Sequence, residues 1–174
     1  MFMKETTIVY AEMESPIGPL VVASTGSGIC HIDFGTFRDC EPELRRWSRR
    51  WLNTDRWVRD EESLRDAVRQ LSHYFVGERK VFDLPLDLRG TPFQLRVWNA
   101  LLEVGYGRTA SYKEIGRRIG AEKAVRAVGG ANNRNPVPII VPCHRIVGSD
   151  GSLVGYGGVL HIKSFLLKLE ESHS

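Results

Sequence analysis

Long apolar runs are missing from these 174 residues. No stretch is long enough to span a bilayer as a helix, which removes channel and transporter functions of that kind. The start, Met1-Phe2-Met3-Lys4-Glu5, carries no signal-peptide core, so a cytoplasmic protein is expected. Cysteine is scarce as well: three residues, widely spaced and odd in number, do not make a disulfide framework and predict a reducing compartment. None of them forms a Cys-x-x-Cys pair. Cys30, His31, Cys40 and His73 offer ligand atoms without that spacing, so no zinc, and no cofactor of any kind, is expected. The glycine-rich stretch Gly155-Tyr156-Gly157-Gly158 lacks the Gly-Lys-Ser/Thr ending of a phosphate loop.

Net charge is only +3, but it is unevenly spread. Residues 1–89 hold 13 Lys/Arg against 15 Asp/Glu, whereas residues 90–174 hold 11 against 6. A basic second half beside a slightly acidic first half fits a surface that meets a polyanion, although a solvated basic face reads the same way.

The first half alternates apolar and polar residues in Thr7–Tyr10, Gly18–Ala23 and Ile29–Phe34, punctuated by Gly and Pro. That predicts a small antiparallel sheet. Helical spacing follows over Glu41–Trp51 and Glu62–Phe75, with Leu64, Val68, Leu71 and Phe75 on one face and arginines opposite. Trp47, Trp51 and Trp57 read as packing residues. Domains are expected at 1–88 and 89–174, joined by the linker-like Leu84–Pro92.

Thr91-Pro92-Phe93-Gln94 opens the second half with a capping box and proline at the first helical position. Ser111-Tyr112-Lys113-Glu114 starts a short helix that ends near Gly120, and another is predicted from Glu122 to Asn132. Two short helices around a glycine turn outline a helix-turn-helix, which also occurs as plain packing. A buried strand is predicted over Pro136–Pro142, a hairpin at Asp150-Gly151, and a last helix over His161–Glu171. A hairpin there would make the unit a winged helix.

The chemistry concentrates in Val141-Pro142-Cys143-His144-Arg145. Pro142 cannot donate to a ladder, so pairing should stop there and leave a thiol at a strand end. Cysteine is a nucleophile as thiolate, and His144 or Arg145 could supply the base or cation that this needs. On its own the pair also fits a small buried hydrophobe and its neighbour.

Arg126-Ala127-Val128-Gly129-Gly130-Ala131, Asn135-Pro136-Val137-Pro138 and Val141–Ile146, with Gly155-Tyr156 and the Lys163–Glu170 helix, resemble the O6-alkylguanine-DNA alkyltransferases. The resemblance covers residues 91–171 and extends more loosely to Ser15–Leu20 and His73–Gly77. It implies an α/β N-terminal domain of ribonuclease-H-like shape and a mostly α, winged helix-turn-helix C-terminal domain. It also implies single-turnover transfer of an alkyl group from guanine O6 to Cys143, with His144 acting through water and Glu170 orienting it. Tyr112 is implied to donate to the flipped guanine, and Arg126 to fill the space that the base leaves. Ala124, Ala127, Gly129, Gly130 and Ala131 would let the helix approach the minor groove, and Asn135 would tie it to the cysteine segment. Val141, Val154, Tyr156, Gly157 and Gly158 are the implied guanine pocket. Gly157-Gly158-Val159 departs from many relatives, and Gly158 would leave room for bulky adducts such as benzyl.

In an extended segment neighbours point to opposite faces, so His144 should not touch the Cys143 sulfur directly. The implied partner is double-stranded DNA bearing O6-alkylguanine; no membrane or protein partner is implied, and a monomer suffices. Action on O4-alkylthymine stays open. Two other functions fit parts of the chain: a winged-helix regulator with a structural or redox-sensing cysteine, and a Cys-His-Glu hydrolase, for which no oxyanion hole is apparent.

Overall fold

A computed structural model describes residues 5–154 and 159–174. The chain divides into two compact units, Met1–Arg89 and Gly90–Ser174. Among the described residues, no helix is long and apolar enough to cross a membrane.

In the first unit, β1 (Ile8–Met13), β2 (Leu20–Thr25) and β3 (Gly28–Phe34) form the expected antiparallel meander. A fourth strand, β4 (Trp57–Arg59), joins β1 in parallel, so the sheet is mixed, in the order β3-β2-β1-β4. Helix α1 (Phe37–Leu52) separates β3 from β4 and α2 (Arg65–Phe75) follows. The start of α1 lies four residues before the expected one because Thr36 and Asp39 close a capping box, and the helix runs on through Pro42. Cys40 and Leu44 of α1 pack with Ile8, Val21, Ala23, Cys30 and Trp57 into one core. Trp57 is satisfied there by donating to Ser48 Oγ at 3.0 Å.

The linker-like segment is partly docked. Ile29 donates to the Pro85 carbonyl and Asp87 to the Ile29 carbonyl, each at 2.8 Å, so residues 85–87 run along β3. Cys30 and Cys40 lie in the core, where burial pushes both thiols up to about 12. Among the described residues no three His, Cys, Asp or Glu side chains group as metal ligands.

His31 on β3 meets the Trp47 ring edge-on at 4.7 Å, and its Nδ1 is buried without a hydrogen-bond partner among the described residues. Burial pushes the imidazole down to about 4. The unfolded chain therefore takes up this proton first, and stability falls as the pH drops from about 6.5 toward 4. His31→Leu should remove up to about 3 kcal/mol of that acid sensitivity. Urea midpoints of parent and variant at pH 7 and pH 4.5 check this, and an equal acid loss in both proteins would refute it.

The second unit is mostly helical. It contains α3 (Pro92–Leu101), α4 (Tyr112–Arg118), α5 (Val125–Asn133) and α6 (Leu160–His173). Thr91 and Gln94 close the expected capping box of α3, and Trp98 of α3 donates from Nε1 to the Ala131 carbonyl at 2.8 Å. Gly90 is required beside that indole: a β-carbon there would lie 2.5 Å from the ring. Helices α4 and α5 make the helix-turn-helix, and Gly120 turns between them at φ 74. Among the described residues, the only sheet of this unit pairs β5 (Ala110–Ser111) with β6 (Ile146–Val147) in parallel.

One expectation fails here, and another is met among the described residues only by a turn. The Pro136–Pro142 run is buried but is not a strand: Val141 donates to the Val137 carbonyl at 3.0 Å, and Ile139 sits at φ 77. Four residues within one tight reversal cannot extend into a ladder. The Asp150-Gly151 signal is met by a closed turn, with Gly148 donating to the Ser152 carbonyl at 2.8 Å, and no antiparallel hairpin follows α5 among the described residues. β6 pairs with β5, and residues 155–158, which follow the turn, lie outside the described residues.

Candidate active site

The reversal over residues 137–141 hands the chain to a single 3-10 turn, Cys143–Arg145. A buried β-branched residue at positive φ is strained, by about 1–3 kcal/mol, and persists only when its surroundings hold it. The holding groups are Pro138, Pro142 and Asn135. Asn135 donates from Nδ2 to the Val141 carbonyl at 2.8 Å and accepts from Val137 N–H at 3.0 Å. Asn135 therefore ties the end of α5 to the cysteine segment, as the sequence suggests. Asn132, which no pattern along the chain singles out, donates from Nδ2 to the Cys143 carbonyl at 3.4 Å.

Within the turn Cys143, His144 and Arg145 are all buried. Because three residues complete a 3-10 turn, Arg145 and His144 diverge from the sulfur at different angles rather than on opposite faces. His144 faces α6: its Nε2 lies 2.6 Å from Glu170 Oε2. Arg145 grips the same carboxylate, from Nε to Oε1 at 2.8 Å and from Nη2 to Oε2 at 3.0 Å. The backbone N–H of Gly107 donates to Oε1 at 3.1 Å. Glu170 thus accepts four hydrogen bonds, the full capacity of a carboxylate.

Burial alone would push the Glu170 carboxyl up, but the bonds from His144 and Arg145 hold it well below the usual carboxylate range. It is an anion. Burial pushes His144 down, the Glu170 contact opposes this, and the Arg145 and Lys163 charges add to the lowering. The balance favours the neutral imidazole. With Nε2–H donated to Glu170, Nδ1 is the basic nitrogen, and Nδ1 is buried without a hydrogen-bond partner among the described residues. A neutral imidazole with an orphaned basic nitrogen, next in sequence to a buried thiol, can take up the thiol proton.

Tyr112 opens α4 after the Ser111 cap, whose hydroxyl accepts from Glu114 N–H at 3.1 Å. The phenol donates to the Val154 carbonyl at 2.9 Å. Burial and the Cys143 charge both push its pKa up, against a bond with Asn132. Lys163 is fully buried on α6 and donates to the carbonyls of Ile146 and, at 2.8 Å, Val154. Burial pushes its ammonium down and the Cys143 charge works the other way. Both groups are thus close enough to Cys143 to feel its charge.

The other expected residues divide. Arg126 and Ala127 are exposed on α5, Ala124 caps it, and Gly129 faces the Tyr112 ring. Ala131 does not fit the expected DNA-facing role: it is 4% exposed, turned inward beneath Trp98. Val141 is buried, and Val154 is exposed while its carbonyl joins Tyr112 and Lys163. Tyr156, Gly157 and Gly158 lie outside the described residues. Arg145, which the sequence offers as a base or cation beside the thiol, binds Glu170 instead, and Lys163 was missed as a site residue. Lys163 had a legible signal, since Ile162, Lys163, Leu166 and Glu170 form the buried stripe of α6 and put two charged residues where apolar ones belong.

Residues 92–172 match the family described as 6-O-methylguanine DNA methyltransferase, DNA binding domain, and residues 8–88 match its ribonuclease-like domain. The chain is 50% identical over 163 residues to a methylated-DNA–protein-cysteine methyltransferase of Methanosarcina acetivorans, covering 94% of this chain and 98% of that one. It is 42% identical over 162 residues to the constitutive enzyme of Bacillus subtilis, covering 92% and 94%. Among solved structures, Mycobacterium tuberculosis OGT in complex with DNA superposes with a TM-score of 0.82 at 45% identity, over 95% of this chain and 94% of that one.

Proposed function

Because the chain belongs to the 6-O-methylguanine DNA methyltransferase family, we propose that Cys143 is the residue that accepts the methyl group. The activity of the chain is DNA repair of O6-methylguanine by methyl transfer to a cysteine of the protein. The buried His144–Glu170 pair carries the assignment to Cys143, since it makes a tautomer-fixed base beside that thiol.

The thiol proton passes to His144 Nδ1, through one water, and Glu170 stabilises the imidazolium that forms. The thiolate attacks the methyl carbon, an S–C bond forms as the C–O6 bond breaks, and the guanine leaves with a proton or hydrogen bond from Tyr112. In the DNA-free protein the Tyr112 hydroxyl is committed to the Val154 carbonyl. An arriving base takes over that hydrogen bond, and Lys163 keeps the carbonyl satisfied. Guanine O6 is inaccessible inside a duplex, so the nucleotide is extruded, with Arg126 filling the gap and α5 along the minor groove. The thioether has no easy hydrolytic exit, so each molecule acts once, as a monomer on double-stranded DNA in the cytoplasm.

Duplex DNA carrying radiolabelled O6-methylguanine tests this. The expected result is one label per chain, on the Cys143 peptide, with activity lost in step. Binding without transfer would favour a regulator, and repeated turnover a hydrolase.

A further inference from the structure

Arg145 takes no part in that scheme, yet it is fixed more firmly than any other arginine of the second unit among the described residues. Its Nη1 donates to the Val104 carbonyl, after α3, at 2.6 Å, its fork closes on both Glu170 oxygens, and the Tyr106 ring lies 5.8 Å away. We propose that Arg145 is a positioning residue for methyl transfer: it fixes the plane and the negative charge of Glu170 so that His144 rests as a neutral base. The proposal rests on the reading of Cys143 and His144 given above.

Glu170 is shared, and the sharing decides where a proton sits. Arg145 already balances the buried carboxylate, so an imidazolium at His144 would leave an excess positive charge in a buried site. Without Arg145, the carboxylate would draw a proton onto His144. Nδ1 would then carry a hydrogen and could not accept the thiol proton. The charged groups that act on His144 are Glu170 and Lys163 from α6 and Arg145 from its own turn, which it also shares with Cys143; Tyr106 lies by Arg145 and Glu170, and Tyr112 by Cys143. Of the fixed charges acting on it, Glu170 favours the cation, while Arg145 and Lys163 oppose it. Geometry adds to charge. A planar fork sets the carboxylate orientation, which a single lysine nitrogen cannot do.

The test is the pH profile of single-turnover label transfer for the full-length parent, Arg145→Met and Arg145→Lys, with DNA affinity measured alongside. For Arg145→Met the acid limb should move up by about one pH unit or more. Transfer should then be about tenfold slower at pH 7 and recover toward the parent at pH 9, with DNA affinity unchanged because Arg145 is buried. Arg145→Lys should lie between. A rate lowered by the same factor at every pH, or a profile superimposable on the parent, overturns the proposal. Nitrogen-15 spectra of the His144 ring in the parent at pH 7 give a second reading that needs no variant. A neutral Nε2–H tautomer supports the proposal and an imidazolium overturns it. If the parent transfers no label, the assignment of function fails, and the ring spectra still decide the charge on His144.

Discussion

Cys143→Ala should abolish methyl transfer while DNA carrying O6-methylguanine is still bound. The loss should be at least about 10⁴-fold, or roughly 5–6 kcal/mol of barrier, because alanine offers no nucleophile and His144 cannot replace it from within its bond to Glu170. Binding should survive because Cys143 is 4% exposed and lies outside α5, whose exposed face carries Arg126 and Ala127. Trimming one sulfur from a buried site costs about 1 kcal/mol, too little to unfold the domain. Cys143→Ser sharpens the result. It keeps the shape but places a weakly acidic hydroxyl beside the same base, and it should also fail to transfer. Label transfer and gel-shift binding on one preparation check both variants. Transfer retained by Cys143→Ala would show that another residue accepts the methyl group.

Glu170→Gln should be nearly as damaging, and in two ways at once. The carboxylate accepts from His144, twice from Arg145 and from Gly107. A glutamine amide presents an NH₂ to some of those donors and leaves the Arg145 charge buried without a partner. Breaking a buried ion pair from one side costs about 3–5 kcal/mol. Transfer should fall about 10²–10⁴-fold, since the tautomer and the developing imidazolium lose their support. The pH dependence has a definite sign. A carboxyl held below its ordinary range contributes stability that is present above about pH 4.3 and is lost as the pH falls further. The variant should lack that loss. Urea unfolding at pH 7 and pH 3.5, with single-turnover rates at pH 8, checks both effects. A variant as stable and fast as the parent would remove Glu170 from the site.

Caps, faces and reactive residue types were legible along the chain. The Thr91–Gln94 capping box, the paired helices around Gly120 and the Cys143-His144 pair depend on neighbours within a few residues. The strand over Pro136–Pro142 was misread because an apolar run says that it is buried, not how it bends. Asn135, Asn132 and the prolines force Ile139 into a left-handed turn, and that requires contacts from α5. Ala131 was misread for a related reason: small residues suit a DNA-facing helix and an inward one equally, and only the packing of the fold shows that Ala131 is buried.

The sequence by itself determined the two-part organisation, the cysteine with a histidine next to it and the pair of short helices around a glycine turn, because each is written in local spacing. Only the tertiary structure decided which charges meet. Glu170 stands 25 and 26 residues from Arg145 and His144, and one carboxylate serves both. That sharing sets the charge on the base, and no pattern along the chain records it. Electrostatic partnership in a buried site depends on distance through space and on exclusion of water, both of which arise only when the helix carrying Glu170 packs against the cysteine turn.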